Sequence, residues 1–224
     1  MLKLQIFIMI IWLELQVGNM IEYPKINSIY KRDDKGKFII GDYSQPEFEY
    51  LSCNLWEATE KIDGTNIRIM WNQETVAFGG KTNNAQIPTH LIKRLQELFP
   101  VENFKKIYPE LSLTLYGEGY GAKIQKGGGN YIKDGCDFIL FDVLVGDWWL
   151  KREDILDVAN KLQIKIVPPL GYITLQQAMT FTQTRIKSSF GNFPIEGIVL
   201  KPRVELKDRK GNRIITKVKC KDWK

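Results

Sequence analysis

Glu60-Lys61-Ile62-Asp63-Gly64-Thr65-Asn66 is the stretch on which the organisation of this chain turns. Trp56 to Glu60 before it and Thr65 to Trp71 after it alternate or are β-branched, so one strand runs into it and another leaves it. Asp63-Gly64 between them is ordinary hairpin-turn chemistry, and that is the plainest reading. Lys61 offers a second. A lysine is a nucleophile only as the neutral amine, a form that burial and neighbouring cations favour. Lys217 and Lys219 are candidates for those cations. They alternate with Thr216, Val218 and Cys220, so on a strand they point to one face. Beside Lys61 they would hold a phosphate. Their plain alternative is a solvated edge strand whose lysines deter aggregation.

Working outward, strand-like runs dominate. Thr75 to Phe78, Leu111 to Tyr116, Phe138 to Val145, Ile195 to Leu200 and Ile214 to Val218 all read as strands. Helices are expected from Thr89, as a cap, to Leu98, and from Arg152 to Leu162 on the spacing of Ile155, Leu156, Ala159 and Leu162. A third follows the capping box Thr174…Gln177 and runs to about Ser188. Residues 22–50 read as mixed and loop-rich, with a turn at Asp33-Asp34-Lys35-Gly36. The pattern is α+β, not the regular alternation of a Rossmann fold.

The 224 residues suffice for one well-buried domain. Cys53, Cys136 and Cys220 lie far apart, which excludes a disulfide framework and a Cys-rich zinc site. His90 is the single histidine, at the start of an amphipathic helix, where a surface role is expected. The net charge of +6 is uneven: residues 201–224 hold ten Lys/Arg against three Asp/Glu, and the rest of the chain is near neutral. That suggests a polyanion or phosphate partner, or else a solvated tail. Gly79-Gly80-Lys81-Thr82 is not a P-loop, because Thr75 stands where the motif needs glycine. Gly127-Gly128-Gly129 reads as a turn.

Lys61-Ile62-Asp63-Gly64 resembles the nucleotidyl-acceptor motif of the covalent nucleotidyltransferases, the superfamily of DNA ligases, RNA ligases and mRNA capping enzymes. Leu115-Tyr116-Gly117-Glu118-Gly119, Phe138 to Val143, Ile195 to Lys201 and Lys217 to Lys221 resemble that superfamily's later motifs, in its order and near its spacing. The resemblance covers residues 56–221. Thr65-Asn66 and the run Gly119 to Lys126 followed by Asn130-Tyr131 resemble the RNA ligases, and among them the type 2 RNA ligases.

The resemblance implies an α+β, ATP-grasp-like nucleotidyltransferase domain: antiparallel sheets, flanking helices and a central ATP cleft. It implies an ATP-dependent RNA ligase. Lys61 would attack the α-phosphorus of ATP and release pyrophosphate. AMP would pass to an RNA 5′-phosphate, and a 3′-hydroxyl would displace it. Lys217 and Lys219 would contact the α-phosphate, and Glu196 would stand near Mg²⁺, for which Mn²⁺ can substitute. Glu118 would bind the ribose and Phe141 would stack on adenine, although a Phe in Phe138-Ile139-Leu140-Phe141 also reads as core. Glu60 would sit near the adenine, Asn66 near the reacting centre, and Lys201 near phosphate or nucleic acid. Lys81 stands where related RNA ligases tend to have Arg, which removes the bidentate fork.

As for organisation, residues 1–19 read as an apolar extension, signal-like but with a poor cleavage site at Gly18-Asn19-Met20; a start at Met20 or a loosely docked apolar helix is favoured over secretion. Residues 20–224 are expected to form one adenylyltransferase domain with no C-terminal OB or helical domain, better at sealing pre-adenylylated ends than at activating plain 5′-phosphates. The implied partners are RNA with 5′-phosphate and 3′-hydroxyl ends and, optionally, a separate nucleic-acid-binding subunit. The implied location is the cytoplasm, without membrane association. Two alternatives stand: a small DNA ligase or GTP-using guanylyltransferase of the same superfamily, and an inactive nucleic-acid-binding module.

Overall fold

A computed structural model describes residues 20–223. The apolar extension at 1–19 lies outside the described residues. In chain order the strands are β1 (Asn27–Ser28), β2 (Tyr30–Arg32), β3 (Phe38–Tyr43), β4 (Trp56–Lys61), β5 (Thr65–Trp71), β6 (Val76–Gly79), β7 (Leu113–Gly121), β8 (Cys136–Val145), β9 (Trp148–Trp149), β10 (Lys165–Ile166), β11 (Pro169–Ile173), β12 (Gly197–Pro202) and β13 (Thr216–Lys219). The α-helices are α1 (Pro46–Tyr50), α2 (Thr89–Leu98), α3 (Val101–Ile107), α4 (Arg152–Leu162) and α5 (Leu175–Gln183). The architecture is α+β. No helix among the described residues is long and apolar enough to cross a membrane.

The chain divides into two compact units, each built from two pieces of sequence. The first comprises residues 20–23 and 64–166 of the described chain. Its sheet runs β10-β8-β7-β5-β6, with β9 paired to β8. Ile67, Ile69, Trp71, Leu115, Phe138 and Leu140 turn one face of that sheet toward Leu91 and Leu95 of α2, Phe104 of α3, and Ile155 and Ala159 of α4. These residues are nearly or fully buried, and Trp71 stacks on Phe104 with centroids 5.4 Å apart. The strict alternation leaves Asn66, Arg68, Tyr116 and Glu118 on the opposite face.

The second unit comprises residues 24–63 and 167–223. Its sheet runs β1-β13-β12-β4-β11, and a two-stranded β2–β3 ribbon completes it. Trp56, Ala58, Ile198, Leu200 and Val218 are buried against Phe48 of α1 and against Leu175, Ala178 and Met179 of α5. The half-buried residues between them in sequence, among them Lys61, Val199, Lys201, Lys217 and Lys219, share the other face.

Several sequence expectations need correction. Asp63-Gly64 is not a hairpin turn. Both edges of β4 are taken, by β11 and β12, while β5 pairs with β6 and β7 in the other sheet. Gly64 is required for close approach: a Cβ there would collide with the Gly119 carbonyl oxygen and lie 2.8 Å from Glu118 Cγ. Thr89 does not cap α2; Pro88 holds that position, and Thr89 is the first helical residue. The capping box at Thr174 is formed, but α5 ends at Gln183, followed by Arg185 in the left-handed region at φ 52°. The hydroxyls of Thr182 and Thr184 bond back to helix carbonyls at 3.0 and 2.9 Å, a habit that weakens helix continuation. Leu156 is exposed, and Val158 takes the buried position on α4. Residues 22–50 are mixed, with β1, β2, β3 and α1 set between loop segments. The turn at 33–36 is present, with the Gly36 N–H bonded to Asp33 O at 2.9 Å.

Candidate active site

In the second unit, Lys61 on β4 and Lys219 on β13 both pair in register with Gly197 on β12. Strand geometry therefore sets two lysines on one face, either side of a residue with no side chain. A Cβ at Gly197 would collide with the Val218 carbonyl and lie 2.8 Å from Lys219 Cα. Glu196, the preceding residue, projects its carboxylate into this row. Lys61 Nζ donates to Glu196 Oε2 at 2.7 Å, and Lys219 Nζ donates to Oε1 at 2.6 Å. The Cys220 N–H bonds Glu196 O at 3.0 Å and fixes the backbone beneath. All three side chains keep about a fifth of their surface open, at 21%, 18% and 20% for Lys61, Glu196 and Lys219.

The electrostatics are asymmetric. Burial pushes the Glu196 carboxyl upward, but the Lys61 charge and the hydrogen bonds from Lys219 and Lys61 outweigh it and hold the group below its ordinary value. Asp63 goes the other way. Burial and the Glu196 charge raise it, and Lys61, Lys219 and Lys221 only partly oppose them. Two carboxylates near three lysines are thus held in different states of readiness to ionise. Among the described residues no group of three or more His, Cys, Asp or Glu could form an all-protein metal site. Glu196 with Asp63 still suits Mg²⁺ or Mn²⁺, since Mg²⁺ is commonly held by one or two carboxylates and substrate phosphates.

Lys217 and Lys201 lie on the same sheet face, Lys217 paired with Val199 and Lys201 with Glu57. Glu60 does not join them. It is one residue from Lys61 and therefore points to the opposite, core face, where it is 1% exposed. Its carboxylate accepts from the Ser188 hydroxyl at 2.5 Å and the Ser189 N–H at 2.9 Å. Glu60 thus ties down the segment after α5, in place of the expected position beside the base.

In the first unit, Asn66 on β5 and Glu118 on β7 are a register pair, both half-buried on the face away from the helices. Asn66 Oδ1 is buried with no hydrogen-bond partner among the described residues, the kind of exception that accumulates at functional sites. Phe141 is not a core residue. The β7–β8 register shifts so that Tyr116 opposes Asp142 and Gly117 opposes Leu140, which leaves Phe141 as the extra residue of a bulge. It is half-buried between the fully buried Leu140 and Asp142. Lys81 follows β6 in an exposed segment. His90 is exposed, as expected of a surface residue.

Sequence reasoning missed three supporting residues. Arg68 is fully buried and donates to Gly80 O at 2.7 Å, Met20 O at 2.9 Å and Asn83 Oδ1 at 3.0 Å, so it anchors the segment that carries Lys81. An arginine between two isoleucines of a strand was the available signal. Tyr23 donates to Asp142 Oδ2 at 2.8 Å and sets its ring edge-on to Phe141, centroids 5.0 Å apart. Asp222 accepts from the Lys219 N–H at 2.9 Å and from Arg32 at 2.8 Å, which fixes the end of β13. Nothing in the local sequence marks Tyr23 or Asp222.

A model of the RNA ligase family matches residues 54–219. Among solved structures, a point mutant of the Naegleria gruberi RNA ligase with ATP and Mn is 20% identical with a TM-score of 0.63, covering 88% of this chain and 57% of that one. The same ligase with PPi is 19% identical with a TM-score of 0.62, covering 90% and 62%. A protein from Aquifex aeolicus described as an ATP-dependent DNA ligase is 17% identical with a TM-score of 0.61, covering 91% and 51%. The chain thus spans little more than half of these proteins, and the likeness is one of fold. No curated protein matches the sequence.

Proposed function

Since the chain belongs to the RNA ligase family, we propose that it is the adenylyltransferase part of an ATP-dependent RNA ligase, with Lys61 as the nucleophile. The observation that carries this is the Glu196 carboxylate bridging Lys61 and Lys219 across Gly197. Lys61 Nζ would form a bond to the α-phosphorus of ATP as the bond to pyrophosphate breaks, giving lysyl-AMP. AMP would then pass to a 5′-phosphate end of RNA, and a 3′-hydroxyl would attack that phosphate and expel AMP.

The residues support these roles. The form of Lys61 that pairs with Glu196 is the ammonium, whereas the attacking form is the neutral amine, so the pair must part and Lys61 must release a proton to solvent before attack. Lys219 and Lys217 sit on the same face and supply positive charge where the α-phosphate oxygens gain charge in the transition state. Glu196 with Asp63 would hold Mg²⁺ or Mn²⁺, which would supply charge to neutralise the phosphate oxygens. As the family resemblance implies, Glu118 and Asn66, a register pair, would offer polar atoms to the nucleotide, and Phe141, the half-buried extra residue of a bulge, would offer an aromatic face.

The test is incubation with Mg²⁺ and ATP labelled at the α-phosphate, then denaturing electrophoresis. Label that stays on the wild-type protein and is lost in Lys61→Ala is expected. Label from GTP in place of ATP would assign the chain to the guanylyltransferase branch, and absence of label with both nucleotides and with Mn²⁺ would overturn the proposal. RNA and DNA nicks offered to the labelled protein decide the strand.

A further inference from the structure

The basic stretch at residues 201–224 is not a solvated tail, and its charges have separate fates. Lys201, Lys217 and Lys219 lie half-buried on the sheet face already described. Arg213 is buried, its side chain 4% exposed, and donates Nε and Nη2 to the two oxygens of Glu205 at 2.5 and 2.7 Å. The Arg203 guanidinium lies over the Tyr172 ring, 5.0 Å from its centroid. Lys221 is exposed in the turn of 3-10 helix after β13, and Lys224 lies outside the described residues. Lys207, Arg209 and Lys210, all exposed, stand together on the turn between β12 and β13.

The turn is built to hold them in place. Lys207 and Arg213 form a β-bridge, and Ile214 N–H bonds Leu206 O at 2.9 Å below it. Asp208 N–H bonds Asn212 O at 2.8 Å, and Gly211 closes the turn at φ +83°. The Asp208 carboxylate accepts from the N–H groups of Lys210 and Asn212 and from the Asn212 side chain, at 2.8, 2.8 and 2.9 Å. Its oxygens are therefore occupied by the turn's own donors, and Glu205 is neutralised by Arg213. What the tip presents outward is three cations on a preordered backbone.

We propose that this tip, through Lys207, Arg209 and Lys210, docks the phosphodiester backbone of the RNA substrate at a distance from the sealed end. The inference rests on the ligase reading above, which supplies a polyanionic partner to a tip whose charge is complementary to it. Continuity supplies the rest: β12 and β13, which meet at the Lys61–Gly197–Lys219 row, are the two strands that run out to this turn. From Gly197 to Pro202 is about 17 Å at the usual strand rise. The tip lies beyond Pro202, and nucleic-acid phosphates recur roughly every 3.4 Å of axis on one strand, so the tip would meet the backbone at least about five nucleotides from the reacting end.

The experiment is fluorescence anisotropy with a labelled, nicked RNA duplex carrying ~12 base pairs on each side, from ~50 to ~200 mM salt. It compares the wild type with Lys207→Ala/Arg209→Ala/Lys210→Ala. Three lost phosphate contacts reduce the slope of log K against log salt by about two to three and weaken binding ~10- to 100-fold near 0.1 M salt. The difference vanishes on a duplex reaching fewer than about four base pairs past the nick. Equal affinity and slope on the long duplex would overturn the inference. Thermal melting checks that the variant folds, and Lys210→Glu alone, which should also weaken binding, replaces it if it does not. ATP labelling of Lys61 in the same wild-type preparation separates the two claims. A wild type that labels while its tip variant binds RNA normally overturns only the docking site; one that neither labels nor binds RNA overturns both.

Discussion

Lys61 Nζ and Glu196 Oε2 lie 2.7 Å apart, although 135 positions separate the two residues in sequence. The pairing of β4 with β12 creates the contact, and Lys219 donates to the other carboxylate oxygen at 2.6 Å. Replacing Glu196 with Gln keeps the shape and removes the charge. Labelling by ATP is expected to fall at least ~100-fold, the scale of losing a metal ion's several kcal/mol of charge stabilisation, since the proposed function gives Glu196 the metal. Single-turnover labelling at saturating ATP checks this, with Lys219→Ala alongside.

The same carboxylate predicts a pH dependence of stability. Glu196 is held below its ordinary value in the folded chain, so the stability it contributes is present above the unfolded value and is lost as pH falls through the folded one. Melting temperatures of wild type and Glu196→Gln should therefore differ at neutral pH and converge as pH falls below about 4.5. A gap that stays constant down to pH 3 contradicts this.

Asp63 carries the opposite sign. Its raised folded value means that the stability linked to its protonated form is fully present below the unfolded value and is lost as pH rises through the folded one. At neutral pH the ionised group works against folding. Asp63→Asn is expected to melt higher than wild type at pH 7 and to label with ATP more slowly, a stability gain accompanied by a loss of function.

Gly197→Ala tests the crossing point. A Cβ has no room against Val218 O and Lys219 Cα. Overpacking of this kind costs about 1–3 kcal/mol, and here it also separates Lys61 from Lys219. Urea denaturation measures the first effect and ATP labelling the second; a variant as stable and as active as wild type would refute the close approach.

Phe138 and Phe141 differ in burial, and the proposed function sets only Phe141 beside the nucleotide. Phe138 is buried against Phe99 at 5.3 Å between centroids, and Phe138→Ala should cost about 3–5 kcal/mol. Phe141 is half-buried on the bulge, so Phe141→Ala should cost distinctly less stability while raising the ATP concentration needed for labelling. Equal destabilisation by the two substitutions would return Phe141 to the core.

What the sequence by itself determined is local. Alternation of apolar residues placed Ile67, Ile69 and Trp71 on one face of β5, and Thr174 with Gln177 marked the start of α5. The same alternation put Lys217 and Lys219 on one face, because side-chain direction along a strand depends only on neighbours in the chain. The RNA ligase motifs were also legible, and the family match over 54–219 agrees with them.

Tertiary structure decided the rest, because which strands become neighbours depends on contacts far apart in sequence. The Asp63-Gly64 segment looked like a hairpin, yet both edges of β4 were already paired and the chain passed into another sheet. The family resemblance implied Glu60 near the adenine, but adjacent residues on a strand face opposite ways, and the segment after α5 supplied Ser188 and Ser189 to bury its carboxylate. Phe141 faces away from Phe138 and Leu140 by the same alternation, but that it is the extra residue of a bulge follows from the pairing of β7 with β8. Asp222 and Tyr23 acquired partners that no spacing rule anticipates. A basic run that resembled a tail was folded into a buried ion pair, a lysine-bearing sheet face and an exposed turn, since each cation's role follows from which acceptors the fold brings within reach.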